Sequence, residues 1–482
     1  MRQGAQQEEQ WMRKRDLSVM GIGLAVAFVA AAGTVRAQTE GPVKDPLDTA
    51  SYRLRAAQLG ERTPVLTTGT EFNPAISVIL DFTYGWLSDE LEDPPGFELG
   101  GHSHGHGHDH GIEEGFALRE LELTFSGTVD PYFDAMAMVT LSGHDIEIEE
   151  AYITTRMLPV GFQIKAGKFL SDIGYINKQH LHDWMFADAP WMREFLMGDE
   201  GLSEAGVQLS WLPPTDTYVR LGVEVLQGES EGVASYIGPG RHQMVTILPD
   251  DDNAPSRNRW RADKGLDEKD GPRLFTGFAK VAPEIGQNQA LQLGVFGGYS
   301  RSFQLEEVHS SGRLETWDGD AWFAGFDAVY KYDGQGVAGH RNLVLQGEYM
   351  YRQLDLDYRS QQFANFSDLV TTDFNKQRWK QDGLYVQGVY GFAPRWNAGL
   401  RADVLGLTND GFEGRGTPED FGTSYRYTGQ LSYAPTEFSR LRLQASYTDL
   451  AEDDHDHDDH HDAWMVVLQY NVSLGVHGAH AF

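Results

Sequence analysis

The 482-residue chain has no cysteine, few basic residues for its size, and no apolar run long enough to cross a bilayer as a helix. Without cysteine there are no disulfides, thiolate metal sites or thiol nucleophiles. With 39 basic residues against 71 acidic ones, the formal charge is −32, which argues against a phosphate-backbone partner, so no nucleic acid is expected. The longest apolar run, Leu17 to Ala32, falls short of the ~20 residues of a spanning helix. It follows Arg13-Lys14-Arg15 and ends at Val35-Arg36-Ala37, so residues 1–37 read as a secretory signal cleaved after Ala37. Glu8 and Glu9 are unusual ahead of such a signal and make Met12 an alternative start. Also missing are a Ser/His/Asp nucleophile order, a phosphate-cradling glycine motif and a zinc-hydrolase helix motif. No catalytic residues and no prosthetic group are therefore expected.

What the chain does have is alternation. Segments of about ten residues place apolar and polar side chains on opposite faces, the pattern of strands between lipid and a lumen. In the first, Ile76, Val78, Leu80, Phe82, Tyr84 and Trp86 share one face, and Ser77, Asp81 and Thr83 the other. In the last, Trp464, Val466, Leu468, Tyr470, Val472 and Leu474 share a face. About sixteen such segments follow one another, an even number that suits an all-β, transmembrane antiparallel β-barrel. A soluble all-β protein would not need such regular spacing or so many aromatics at strand ends. Short turns such as Asp130-Pro131, Pro213-Pro214, Pro394-Arg395 and Pro435-Thr436 alternate with long polar loops, matching periplasmic turns and extracellular loops. Residues 38–73 read as a periplasmic lead-in, too short for the plug of an energised receptor, and 74–482 as the barrel. The terminal aromatic, Phe482, suits recognition by the barrel assembly machinery.

Two histidine-rich stretches interrupt this pattern, at 100–114 and 452–463. The first carries His102, His104, His106, His108, Asp109 and His110; the second His455, Asp456, His457, Asp458, Asp459, His460 and His461. Imidazole with carboxylate suits Zn2+, Ni2+ or Co2+ as a bound or transported ion. Both stretches are internal and interleaved, unlike a purification tag. One falls between the first two strands and the other between the last two. A barrel must close by pairing its first strand with its last, so the two loops should rise side by side on one rim.

From Glu149 to Trp184, EEAYITTRMLPVGFQIKAGKFLSDIGYINKQHLHDW resembles a stretch of the porin O/P family of phosphate-selective porins and their relatives. The ending GVHGAHAF is similar to that family's C-terminus. The resemblance implies a sixteen-stranded channel, allows a homotrimer, and implies a loop after Phe169 that folds towards the pore. With its histidine tracts the chain is more similar to a subgroup named as zinc-regulated outer-membrane receptors.

In that pore loop, Asp172, His180, His182 and Asp183 are candidates for a second metal station, with hydrogen bonding to the barrel wall as the competing role. The lumen should be mixed in charge. Asp81, Glu120, Glu122, Glu224, Glu348 and Asp403 face inward with Lys165, Arg220, Lys280, Lys331, Arg352, Arg401, Arg440 and Arg442. The acidic excess should attract cations, so the family's phosphate preference is not carried over. The expected function is an outer-membrane channel that captures divalent metal, zinc foremost, on its external loops and admits it to the periplasm. The rivals are a general or anion porin with incidental histidines, and a surface metal-binding barrel without transport. Outer-membrane lipid and lipopolysaccharide are the expected surroundings.

Overall fold

The computed structural model describes residues 74–88, 93–97, 112–142, 145–239, 245–247, 257–259, 265–308, 313–363, 369–413, 419–451 and 462–475. Both histidine tracts, residues 1–73 and the terminal GVHGAHAF beyond Gly475 lie outside them.

Sixteen strands form the wall. They are β1 (Ala75–Leu87), β2 (Gly115–Thr128), β3 (Phe133–Ser142), β4 (Asp145–Thr155), β5 (Phe162–Leu170), β6 (Ser203–Trp211), β7 (Tyr218–Leu226) and β8 (Leu274–Ala282). There follow β9 (Gln289–Val308), β10 (Arg313–Tyr332), β11 (Leu343–Phe363), β12 (Leu369–Ala393), β13 (Trp396–Glu413), β14 (Ser424–Thr436), β15 (Ser439–Asp449) and β16 (Asp462–Gly475). Each pairs antiparallel with the next, and β1 pairs with both β2 and β16, from Ser77 opposite Gly475 to Leu87 opposite Met465. The sheet has no open edge, as a lipid-embedded sheet requires.

The alternation read from the sequence holds in the wall. Ser77, Asp81 and Thr83 are buried towards the lumen, while Ile76, Phe82 and Tyr84 stand on the outer surface. Paired aromatics mark two belts: Tyr84–Phe116, Trp322–Tyr351 and Tyr447–Trp464 on the loop side, Phe162–Trp211 and Trp396–Tyr433 on the turn side. An apolar exterior between aromatic girdles is an outer-membrane barrel's outer surface, and the protein is placed in the outer membrane accordingly.

The strands differ from expectation in length. β9 to β13 run 18 to 25 residues, about twice the 9–11 that span a bilayer. Along β11 the pattern inverts: Gln346 and Glu348 face in beneath the girdle, but Leu354 and Leu356 face in above it, and Asp355 and Asp357 face out. Leu354 and Leu356 join Phe303, Trp317 and Ala321 in a dry cluster. Outside, Lys376 pairs with Asp357 at 2.9 Å and Arg378 with Asp355 at 2.5 Å. An apolar inner face and a charged outer one are what water demands of a sheet, so this part stands above the membrane. Alternation tuned to lipid stops where the lipid stops.

Two β-bulges fall near one another. Between β1 and β2 the register shifts at Asp81/Phe82, so Arg119 and Glu120 both oppose the Asp81 region. Between β3 and β4, Met138 opposes Glu150 and Val139 opposes Ile148, leaving Glu149 as the extra residue. Each bulge re-aims one more polar side chain inward.

Candidate functional site: the pore loop and its cation cluster

Residues 171–202 fold into the barrel. The segment includes α1 (Trp191–Met197), whose seven residues are all buried. It starts after Pro190, whose fixed φ suits a helix start, and Asp403 accepts the Trp191 amide at 3.0 Å. Phe169, Ile173, Ile176, Trp191, Phe195 and Leu196 join one apolar cluster with Phe97 of the β1–β2 loop. Residues 93–97 thus reach across the mouth, with Asn409 donating to the Pro95 carbonyl at 2.9 Å. The described residues that flank the first histidine tract are Phe97, in this cluster, and Ile112, buried with Leu87, Ala187, Met465 and Val467.

The loop is held by basic side chains donating to its carbonyls. Lys280 reaches Gly174 O (2.7 Å), Arg440 His182 O (2.8 Å), Arg442 Trp184 O (2.8 Å) and Arg119 Ala187 O (2.5 Å). Arg401 reaches Asp188 O (2.9 Å) and Arg426 Ala189 O (2.8 Å). From the other side Glu348 accepts the amides of Tyr175 (2.8 Å) and Ile176 (2.7 Å). Gly174 permits that approach: its φ is 62°, and a Cβ there would lie 2.3 Å from Glu348 Oε2. Of the lumen cations expected from the sequence, Lys280, Arg401, Arg440 and Arg442 are among these donors, whereas Arg352 donates to Gly232 O and Gln381 Oε1. A buried backbone carbonyl must find a donor, and on this wall the donors are cations.

Asp188 anchors the turn into α1. It takes Arg401 at 2.8 Å and Arg426 at 3.0 Å, while Asp403 takes the same two guanidiniums. Burial alone would raise the Asp188 carboxyl, but Arg401 and Arg426 outweigh it and hold it near about 2.

The four pore-loop candidates separate. Asp172 lies beside Arg220 (2.8 Å), with Lys165 4.0 Å away. Burial would raise its carboxyl; the arginine and lysines drive it far below the usual range. It serves as a counter-charge there. His180 and His182 stack with centroids 6.0 Å apart. His180 Nδ1 meets Glu149 Oε1 at 2.8 Å and Nε2 meets Glu150 Oε2 at 3.0 Å. His182 Nδ1 lies 2.8 Å from Glu122 Oε2, and Nε2 3.4 Å from Asp183. Burial opposes a charge on His180, but Glu149 and Glu150 raise its affinity for a proton well above that of free imidazole.

Glu122, Glu149 and His180 each offer a donor atom within 4.8 Å of the others. Glu149 and Glu150 were not among the candidates read from the sequence. Their signal was the consecutive pair in IEIEEAY, which breaks strict alternation and marks the bulge. Both histidine tracts lie outside the described residues; of the residues flanking them, Ser88 N donates to Trp464 O (2.9 Å), and Trp464 N to Ser88 Oγ (2.8 Å).

No family model matches the chain. A protein of Aquifex aeolicus (strain VF5), described as uncharacterized, is 33% identical over 420 residues, covering 85% of this chain and 80% of that one. Among solved structures, the outer membrane channel DcaP of Acinetobacter baumannii aligns at 12% identity and a TM-score of 0.42, over 82% of this chain and 96% of that one. The anion-selective porin of Comamonas acidovorans aligns at 9% and 0.42, over 83% and 98%. The trimer form of in-vitro folded OmpT of Vibrio cholerae aligns at 12% and 0.43, over 82% and 98%.

Proposed function

We propose that this chain, which belongs to the same family as the Aquifex aeolicus protein, is an outer-membrane channel that gathers divalent metal, zinc foremost, and admits it to the periplasm. The barrel is porin-like. The proposal concerns what its loops do.

The observation that carries the reading is the junction of Ser88 with Trp464, reciprocally hydrogen-bonded across the β1–β16 seam. In sequence Ser88 precedes the first tract and Trp464 follows the second, and the two tracts carry nine of the 17 histidines. Ligand-rich segments tethered at neighbouring points act at high effective concentration towards one ion, and weak sites exchange it onward. The ligands proposed are His102, His104, His106, His108, Asp109 and His110 with His455, Asp456, His457, Asp458, Asp459, His460 and His461. Anion selectivity is less well supported, because Arg440, Arg442, Arg401 and Lys280 are engaged with the pore loop.

The test is zinc entry into liposomes carrying the refolded barrel and an internal zinc-sensitive dye. Wild type should admit micromolar zinc faster than a variant with all nine tract histidines as Ala, at equal flux of a neutral sugar. The difference should shrink as pH falls from about 6.5 towards 5, where imidazole is protonated. Equal zinc entry would leave a general porin; no entry of either solute would leave a surface binder.

A further inference from the structure

The geometry points to a divalent-cation station inside the barrel, held by Glu122 of β2, Glu149 of β4 and His180 of the pore loop. It rests on the reading that metal ions enter this barrel, and it names where an ion would pause beyond the external tracts.

The donors come from three separate segments: two strands and the pore loop, where His180 begins a short 3-10 turn over Leu181–Asp183. Their ligand atoms lie within 4.8 Å of one another. Glu122 and His180 are almost fully buried, with side-chain exposures of 1% and 3%. Glu149 Oε2 is shielded from water and has no hydrogen-bond partner among the described residues. Such an oxygen is costly to leave bare, and a cation would satisfy it.

Charge supports the same conclusion. Glu122, Glu149 and Glu150 crowd two imidazoles, and the nearby guanidinium of Arg119 already pairs with Asp81 at 2.6 Å. Buried like charges at this range favour an added positive charge. The bulge on β4 is what brings Glu149 inward beside Glu150, and bulges are over-represented beside functional sites.

The support around the donors is also of the right kind. Glu150 accepts from the Leu170 amide at 3.0 Å and meets His180 Nε2 at 3.0 Å. It therefore fixes the ring and leaves Nδ1 turned to Glu149, the carboxylate–histidine relation that orients imidazole ligands in metal sites. Glu150 is a positioning residue. One imidazole with two carboxylates suits zinc, cobalt or nickel, whereas calcium and magnesium favour oxygen alone. His182, which stacks on His180, lies next to the set.

The experiment uses the full refolded barrel with all nine tract histidines replaced by Ala, which removes the external ligands. Co2+ titration should give one bound ion per chain with a visible ligand-field spectrum, displaced by Zn2+ and not by Ca2+. E122Q/E149Q should abolish that spectrum. E150Q should weaken binding roughly tenfold while keeping the spectrum. Gln is near-isosteric with Glu, and heat-modifiable migration would confirm that each barrel is closed. Should E122Q/E149Q fail to close, E149A alone must lose the spectrum. No Co2+ bound in the tract-free barrel, or binding unchanged by E149A or E122Q/E149Q, would overturn the proposal. Either result leaves the external capture reading standing, because that reading depends on zinc flux with and without the tracts.

Discussion

Asp188 illustrates how much a single side chain decides in this lumen. Its carboxylate joins Arg401 and Arg426, accepts from Gln444 at 2.6 Å, and so fixes the entry to α1. Its folded pKa is depressed to about 2, below the unfolded value. The stabilisation is thus complete above the unfolded pKa of about 3.9 and is lost as pH falls through about 2. The difference is worth on the order of 2 kcal/mol. D188N should free the loop at neutral pH, because it leaves two buried guanidiniums short of charge. Proteolysis within 171–202 should become detectable in D188N at pH 7, whereas wild type should resist until the pH nears 3; equal resistance would show that the loop is held elsewhere. At this scale the sequence was legible wherever alternation was strict, as at Asp81, Glu224, Glu348 and Asp403, all buried inward. It was not legible at Arg119, because a bulge adds a residue without changing the apolar count on either side.

The pore loop is the element on which the site depends, and it is shaped by the wall more than by itself. α1 is too short to be a stable helix alone, and its WMREFLM sequence has no polar face to mark it. No periodicity could announce it; the resemblance to known porin stretches supplied the inward fold, and the wall supplies the rest. α1 packs closely on Gly383 of β12, where a Cβ would meet Leu405 at 2.9 Å and both Leu196 and Met192 of α1 at 3.2 Å. G383V should therefore push α1 off the wall, an overpacking worth about 1–3 kcal/mol. Planar-bilayer recordings should show altered and noisier conductance with the barrel still heat-modifiable. Unchanged single-channel current would mean that α1 plays no part in setting the path. The same element carries His180 and His182, so a displaced loop should also lose the Co2+ spectrum expected of the internal station.

At the scale of the whole molecule the barrel is lopsided, because β9 to β13 rise beyond the lipid as a wall with reversed polarity. Sequence alternation located the membrane part of these strands and stopped at Tyr349 and Tyr351, since beyond them the outward residues become Gln353, Asp355 and Asp357. The inner face above that line carries the apolar cluster of Phe303, Trp317, Leu354 and Leu356, and Trp317 Nε1 donates to Gln377 Oε1 at 2.9 Å. The height of the boundary can be measured directly, because a chain with no cysteine gives a silent background for single-cysteine labelling. D355C, D357C and K376C should react in intact cells with a charged, membrane-impermeant maleimide. L345C, V386C and L400C lie on the outer face lower down, where the native side chains are 44%, 56% and 75% exposed to the surroundings of the barrel. These three should stay unlabelled by that reagent despite their exposure, because what surrounds them is lipid. Labelling of the lower set would move the membrane; protection of the upper set would mean that the tall wall is covered.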